Sequence, residues 1–218
     1  MAITDYALAI EPEVEELGIR LQAFIVNGLD NIDYSKEQPI RMSDPHRLRA
    51  EIVERYGDHY QSALQGFKRV RERCGRSWKR YPPSCQSLAD LFERTGRLPT
   101  IAPVVDCYNA FSLASGLSLG AHDTRKLAGD VRLALSQGGE PFQALGSQSV
   151  QSMPSDEYVY RDAETILCRM EARQAQHSAL STETTSALFI VQGHDAVPFD
   201  YICGVTELLK LALSMQSA

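Results

Sequence analysis

The sequence predicts an α+β fold on three observations: helical periodicity dominates the first half, strand-like alternation dominates the second, and a helical pattern returns at the C-terminal end. Its 218 residues, 44% hydrophobic and 23% charged, suffice for one substantial core. No repeat, low-complexity tract or linker divides them, so residues 1–218 read as a single domain with a core over 17–215.

The elements follow in order. Residues 17–29, LGIRLQAFIVNGL, alternate through Ile19, Leu21, Ala23 and Ile25 and end at Asn27-Gly28, which predicts a buried strand. Ser43, Asp44 and Pro45 form a helix start, and Leu48, Ile52, Val53, Tyr56, Tyr60, Leu64 and Phe67 continue it at helical spacing, with Gly57 and Gly66 as weak points. Pro82-Pro83 breaks the chain, and Ser84 is placed to cap a short amphipathic helix that carries Leu88, Leu91 and Phe92 and stops at Gly96. A further helix follows Pro103, with Val104, Val105, Tyr108 and Phe111 on one side and Gly116 closing it. Val131, Leu133 and Leu135 then alternate. EYVYRD and TILCRM form a strand pair around Asp162-Ala163, SALFIVQG reads as a central strand, and residues 198–215 return to helix.

Composition excludes several classes. The longest aliphatic and aromatic run, Ala187 to Val191, is far below the roughly 20 residues that span a membrane. No Lys or Arg precedes Arg20 and no leader pattern is present, so the expected location is the cytoplasm. Cys74, Cys85, Cys107, Cys168 and Cys203 are scattered without a Cys-x-x-Cys pair or a histidine at metal-ligand spacing, which predicts reduced thiols and neither a metal nor another cofactor. Phosphate-loop, nucleophile-elbow and zinc-protease motifs are absent.

The net charge of -6 argues against indiscriminate nucleic-acid binding, which rests on Lys and Arg releasing counterions. It conceals a basic segment, KRVRERCGRSWKR at 68–80, with seven basic residues and one acidic. This stripe, with Trp78 and Tyr81 at its end, can direct a polyanion to one face; it also complements a helix dipole, and a solvated helix face is the plainer account. A second feature is polar. Asp106, Asn109 and Ser112 share one helix face, and Gly120-Ala121-His122-Asp123 follows as a predicted turn. Spacing alone is equally accounted for by capping and turn chemistry.

The run LPTIAPVVDCYNAFSLASGLSLGAHD at 98–123, with PPSCQSLADLFERTG before it and DVRLALSQGGEPFQALG, DEYVYRDAETILCRM and RQAQHSALSTETTSALFIVQG after it, resembles the B3/B4 domain, the tRNA-binding and editing module of the phenylalanyl-tRNA synthetase beta subunit, and most of all its freestanding relatives. The resemblance covers residues 17–215 and implies a sheet and helices enclosing a small pocket, and a role in translation quality control. In the synthetase the turn reads His-Ala-Phe-Asp; here Gly120 stands in place of that pocket histidine and His122 in place of the Phe. The synthetase's Thr-Asn pair falls on Tyr108 and Asn109, Thr184 to Ala187 match the strand edge that gauges side-chain size, and Glu157 and Asp162 flank the facing strand.

The expected function is therefore a freestanding trans-editing hydrolase that deacylates misacylated aminoacyl-tRNA, not a synthetase. An aminoacyl ester is already activated, so a placed water, oxyanion donors and a neighbouring ribose hydroxyl suffice. His122 and Asp123 are the candidate catalytic pair, since an imidazole with a pKa of about 6.5 suits a base at neutral pH. Asn109, Ser112, Gly120, Glu157 and Thr185 are candidates for substrate contacts, and Arg76, Lys79 and Arg80 for the tRNA acceptor end. A non-catalytic module that binds tRNA or an amino acid is the alternative. Action on a small metabolite unrelated to tRNA is a third reading, favoured by the acidic overall charge.

Overall fold

A computed structural model describes residues 1–29 and 44–215; Ser43, expected at a helix start, lies outside the described residues. Strands β1 (Ala2–Asp5) and β2 (Ala9–Ile10) and a one-turn helix α1 (Pro12–Glu15) precede β3 (Ile19–Asn27). Helices α2 (Pro45–Tyr56), α3 (Tyr60–Arg73), α4 (Ser84–Thr95) and α5 (Pro103–Ser115) follow. The remainder is β4 (Ser118–Asp123), β5 (Arg132–Gln137), β6 (Pro141–Phe142), β7 (Gln151–Ser152), β8 (Ser155–Arg161), β9 (Ile166–Arg169), β10 (Arg173–Gln174), β11 (Ser186–His194) and α6 (Phe199–Met215). The class is α+β, as the sequence predicts.

The strands make two main sheets, one in the order β1-β3-β11-β4 and one in the order β10-β9-β8-β5-β2, with β6 and β7 as a separate ribbon. Alternation along β3, β4 and β11 sends Phe24, Val26, Leu119, Ala121, Phe189 and Val191 to the face covered by α2, α5 and α6. It sends Ala23, Leu188 and Ile190 to the opposite face, where they meet Leu133, Tyr158, Tyr160 and Leu167 of the second sheet. The central strand β11 is thus buried on both faces, which its near-continuous apolar run requires. No described helix is long and apolar enough to cross a membrane.

Local chemistry explains the helix limits. Asp44 caps α2 by accepting from the His46 and Arg47 amides, and Gly57 breaks the expected continuous helix because it takes φ 85°, open to glycine at no steric cost. A helix restarts at Tyr60, and Gly66 lets α3 lie against His194, since a Cβ there would fall 1.9 Å from the His194 ring. Two expectations are corrected. Ser84 does not cap α4; Pro83 occupies the cap position and supplies no side-chain hydrogen bond. Residues 120–123 are not a turn but the last four residues of β4, because Gly120 to Asp123 pair in register with Ile190 to Ala187.

Candidate functional site

Three segments converge on a cleft of about 420 Å³ between α4, α5 and the β9–β10 hairpin. The start of α4 contributes Ser84, Ser87 and Leu88, α5 contributes Asn109, and the loop before α4 contributes Arg80, Tyr81 and Pro82. The hairpin contributes Arg169, Met170, Ala172 and Arg173. Ser84 is anchored to the sheet by a 3.0 Å hydrogen bond to the Ser118 hydroxyl on β4. Two places further along the same face of β4, a Cβ on Gly120 would meet nothing within 4 Å, so that strand has open space above it. Two guanidiniums lie against the Tyr81 ring, with Arg169 4.9 Å and Arg80 5.5 Å from its centroid.

Of the residues the sequence singles out, Asn109 and Arg80 meet at this cleft. Arg76 and Glu157 meet each other instead: Arg76 Nε donates to Glu157 Oε1 at 2.7 Å, Arg76 Nη2 donates to the Ser155 carbonyl at 2.7 Å, and Arg169 donates to Glu157 through Nε and, at 2.8 Å, through Nη2. Arg76 is therefore held in an ion pair within the fold, and Glu157, fully buried, anchors Arg169. Burial alone raises the Glu157 pKa, but the hydrogen bonds from Arg169 and Arg76 outweigh it and hold the carboxyl below its usual range. Glu157→Gln is expected to lower stability by about 2 kcal/mol in denaturant melts, since one acceptor oxygen remains and both guanidiniums keep some solvent. A change below about 0.5 kcal/mol would remove the anchoring role. Lys79 is exposed and forms no ion pair among the described residues.

The basic stripe is likewise divided by the fold. Arg71 is fully buried and Arg73 binds Asp195 at 2.9 Å, so with Arg76 three of the seven basic side chains serve internal contacts.

The pair His122 and Asp123 separates, because adjacent residues on a strand face opposite sides. His122 is buried with Nδ1 2.9 Å from the Ser178 hydroxyl, and burial, with His177 nearby, lowers its pKa to about 4. Asp123 accepts from the Thr184 hydroxyl at 2.8 Å and from the Arg125 amide at 3.0 Å, capping the turn Thr124–Lys126. Burial raises the Asp123 pKa, but the hydrogen bonds from the Arg125 guanidinium, the Thr184 hydroxyl and the Arg125 amide outweigh burial and lower it. The expectation that Asp123 orients His122 is thus corrected. Ser112 is also structural: its buried hydroxyl donates to the Leu117 carbonyl at 2.7 Å. The Thr185 carbonyl accepts from the Gly28 and Leu29 amides. Ser118 pairs with Gln192, and Thr185 precedes Gln192 by seven residues, about 23 Å of strand. Asp106 accepts from the Ile101 and Ala102 amides at the start of α5 rather than facing the cleft.

Sequence reasoning missed Arg169 and Arg173. Their four-residue spacing looks helical, yet across the β9–β10 turn it places them directly opposite one another. It also missed Glu171, whose carboxylate meets the buried Arg71 at 2.5 Å. No group of three or more His, Cys, Asp or Glu converges to hold a metal ion among the described residues.

Comparison with known proteins adds the lineage. No curated protein matches the chain. An N-terminal fragment of the phenylalanyl-tRNA synthetase beta subunit from Pyrococcus horikoshii superposes on 52% of this chain with 12% identity and a TM-score of 0.45, and the match spans 39% of that fragment. The B3/4 domain profile matches residues 66–198, which run from α3 through β11 and carry every wall of the cleft. With well over half of its 218 residues in that match, the chain belongs to the B3/4 domain family.

Proposed function

We propose that this protein acts on tRNA, as a freestanding deacylase that admits the aminoacylated 3′ end into the cleft beside Asn109. The observation that carries this reading is the lining: three arginines and no acidic residue, on a protein of net charge -6. Such a surface attracts a polyanion locally while the rest of the molecule repels it. The family resemblance to an editing module supplies the ester as substrate. Asn109, half-buried and without a side-chain hydrogen bond among the described residues, can donate to a developing oxyanion or hold a water, and Gly120 leaves room where the synthetase carries its histidine. In this reading the terminal ribose hydroxyl assists the water, and no protein base is needed. His122, neutral at pH 7, serves as a hydrogen-bonding group under the β10 hairpin, where the Gln174 amide donates to the Ala121 carbonyl at 2.7 Å.

The absence of His, Cys, Asp and Glu from the lining favours a second reading, a module that binds the tRNA end without turnover. One experiment separates the two: a panel of correctly and incorrectly charged tRNAs, followed for loss of the ester against an enzyme-free control. Selective hydrolysis of a mismatched pair is expected, with Asn109→Ala at least tenfold slower, about 1.4 kcal/mol of transition-state stabilisation. Binding with no hydrolysis across the panel would overturn the deacylase in favour of the module.

A further inference from the structure

The β9–β10 hairpin breaks a rule of sheet construction. Arg169 and Arg173 are directly paired across two antiparallel strands, so their side chains leave the same face with Cβ atoms about 5 Å apart, where like charges repel. Arg80 enters the same cleft, held over Tyr81 beside Arg169. Of the three cleft arginines Glu157 pairs with Arg169 alone, and it is shared with Arg76 outside the cleft. Among the described residues Arg80 and Arg173 form no ion pair, and no acidic side chain lines the cleft. Facing these guanidiniums is the start of α4, a 12-residue helix whose N-terminal amides receive no side-chain cap from Pro83. Uncapped amides at a helix N-terminus carry partial positive charge.

We infer that Arg169 and Arg173, with Arg80 and the first turn of α4, form a phosphate subsite, taking a phosphate or phosphodiester by the paired donors that guanidinium presents. Glu157 fixes Arg169 from behind through one edge and leaves Arg173 and Arg80 to close on the ligand. The identity of that ligand as the penultimate phosphodiester of an RNA 3′ end rests on the function proposed above; the anion chemistry does not. The arginines bind the backbone and carry no base specificity.

The test titrates the purified full chain with the uncharged trinucleotide CCA and, separately, with inorganic phosphate, over a range of salt. Arg173→Gln removes the exposed member of the pair. Arg94→Gln, at the far end of α4 and about 15 Å from its first turn, removes the same charge outside the cleft. CCA is expected to bind the wild type, with Arg173→Gln weakening it at least tenfold and lowering the slope of log affinity against log salt by about one, while Arg94→Gln changes neither. Equal losses in both variants, unchanged binding by Arg173→Gln, or no binding of either probe would overturn the subsite. Loss of CCA binding alone, with phosphate held by the wild type and released by Arg173→Gln, would keep the subsite and overturn the RNA reading.

Discussion

Arg71→Leu is expected to destabilise the protein by about 3–5 kcal/mol, the cost of leaving a buried charge without its partner. Arg71 is fully buried, and every nitrogen of its guanidinium is engaged. Nε donates to the Tyr81 carbonyl at 2.9 Å, Nη2 to the Met170 carbonyl at 2.8 Å and to Glu171 Oε1 at 2.5 Å, and Nη1 to the Tyr158 hydroxyl and to Glu171 Oε2 at 3.2 Å. One side chain of α3 thereby ties the loop before α4 to the β9–β10 turn. That turn holds Met170 and Glu171 at φ 48° and 46°, a left-handed conformation costly for non-glycine residues. Without Arg71 the turn keeps only the Met170 and Ala172 amide hydrogen bonds and the Tyr158 hydroxyl on Glu171 against that strain, so the cleft that depends on Tyr81, Met170 and Arg173 is expected to lose its shape before the protein unfolds.

The pH dependence of that variant has a definite sign. Burial raises the Glu171 pKa even against the pull of Arg71, and with Arg71 gone only the hydrogen bonds from Tyr158 and Gln192 still oppose it. A carboxyl whose folded pKa lies above its unfolded value is tolerated below the unfolded pKa, and the penalty grows as pH rises through the folded one. Urea melts of Arg71→Leu should therefore show a smaller deficit at pH 5 than at pH 8. The double variant Arg71→Leu, Glu171→Leu should recover most of the loss, because neither charge remains buried. A deficit of less than about 1 kcal/mol, or one independent of pH, would mean that solvent reaches Glu171 and that the pair is not the clasp inferred here.

Periodicity made much of the framework readable before the structure. β3, α5, the β8–β9 pair, β11 and α6 each have a pattern that only one secondary structure satisfies. β4 was not readable, since Ser118-Leu119-Gly120-Ala121 carries a strand only because β11, about 70 residues later, pairs with it. The site followed the same division. Asn109 declares itself as a polar residue in an apolar helix and Arg80 as the end of a basic stripe, and both reach the cleft. Arg76 looked equally available, but its partner Glu157 lies 81 residues away, and pairing at that distance leaves no local mark. Arg169 and Arg173 stay hidden for the opposite reason: a two-residue strand after a strained turn gives no alternation to read.

His122 is expected to make the protein acid-sensitive well above the range where carboxylates titrate. The residue is 4% exposed, and burial, reinforced by His177 and opposed by Asp162, lowers its pKa from 6.5 to about 4. A neutral ring suits the site, where the Ser178 hydroxyl lies 2.9 Å from Nδ1 and the Gln174 amide 3.5 Å away. Above pH 6.5 neither the native nor the unfolded chain protonates this residue, so its full contribution to stability is present. Between 6.5 and about 4 the unfolded chain takes up a proton that the native chain refuses, at about 1.4 kcal/mol per pH unit. The loss should reach about 2 kcal/mol between pH 7 and 5, and about 3 kcal/mol by pH 4. His194, buried against Phe67 and bonded to the Ala63 carbonyl, is lowered as well and adds its own slope. Comparison with His122→Gln therefore isolates the first residue: the glutamine variant starts less stable at pH 7 but should fall by about 2 kcal/mol less than the wild type on going to pH 5. Parallel declines in the two proteins would show that His122 protonates freely in the native state, and a histidine that does so near neutrality would again be available as the base of the hydrolysis.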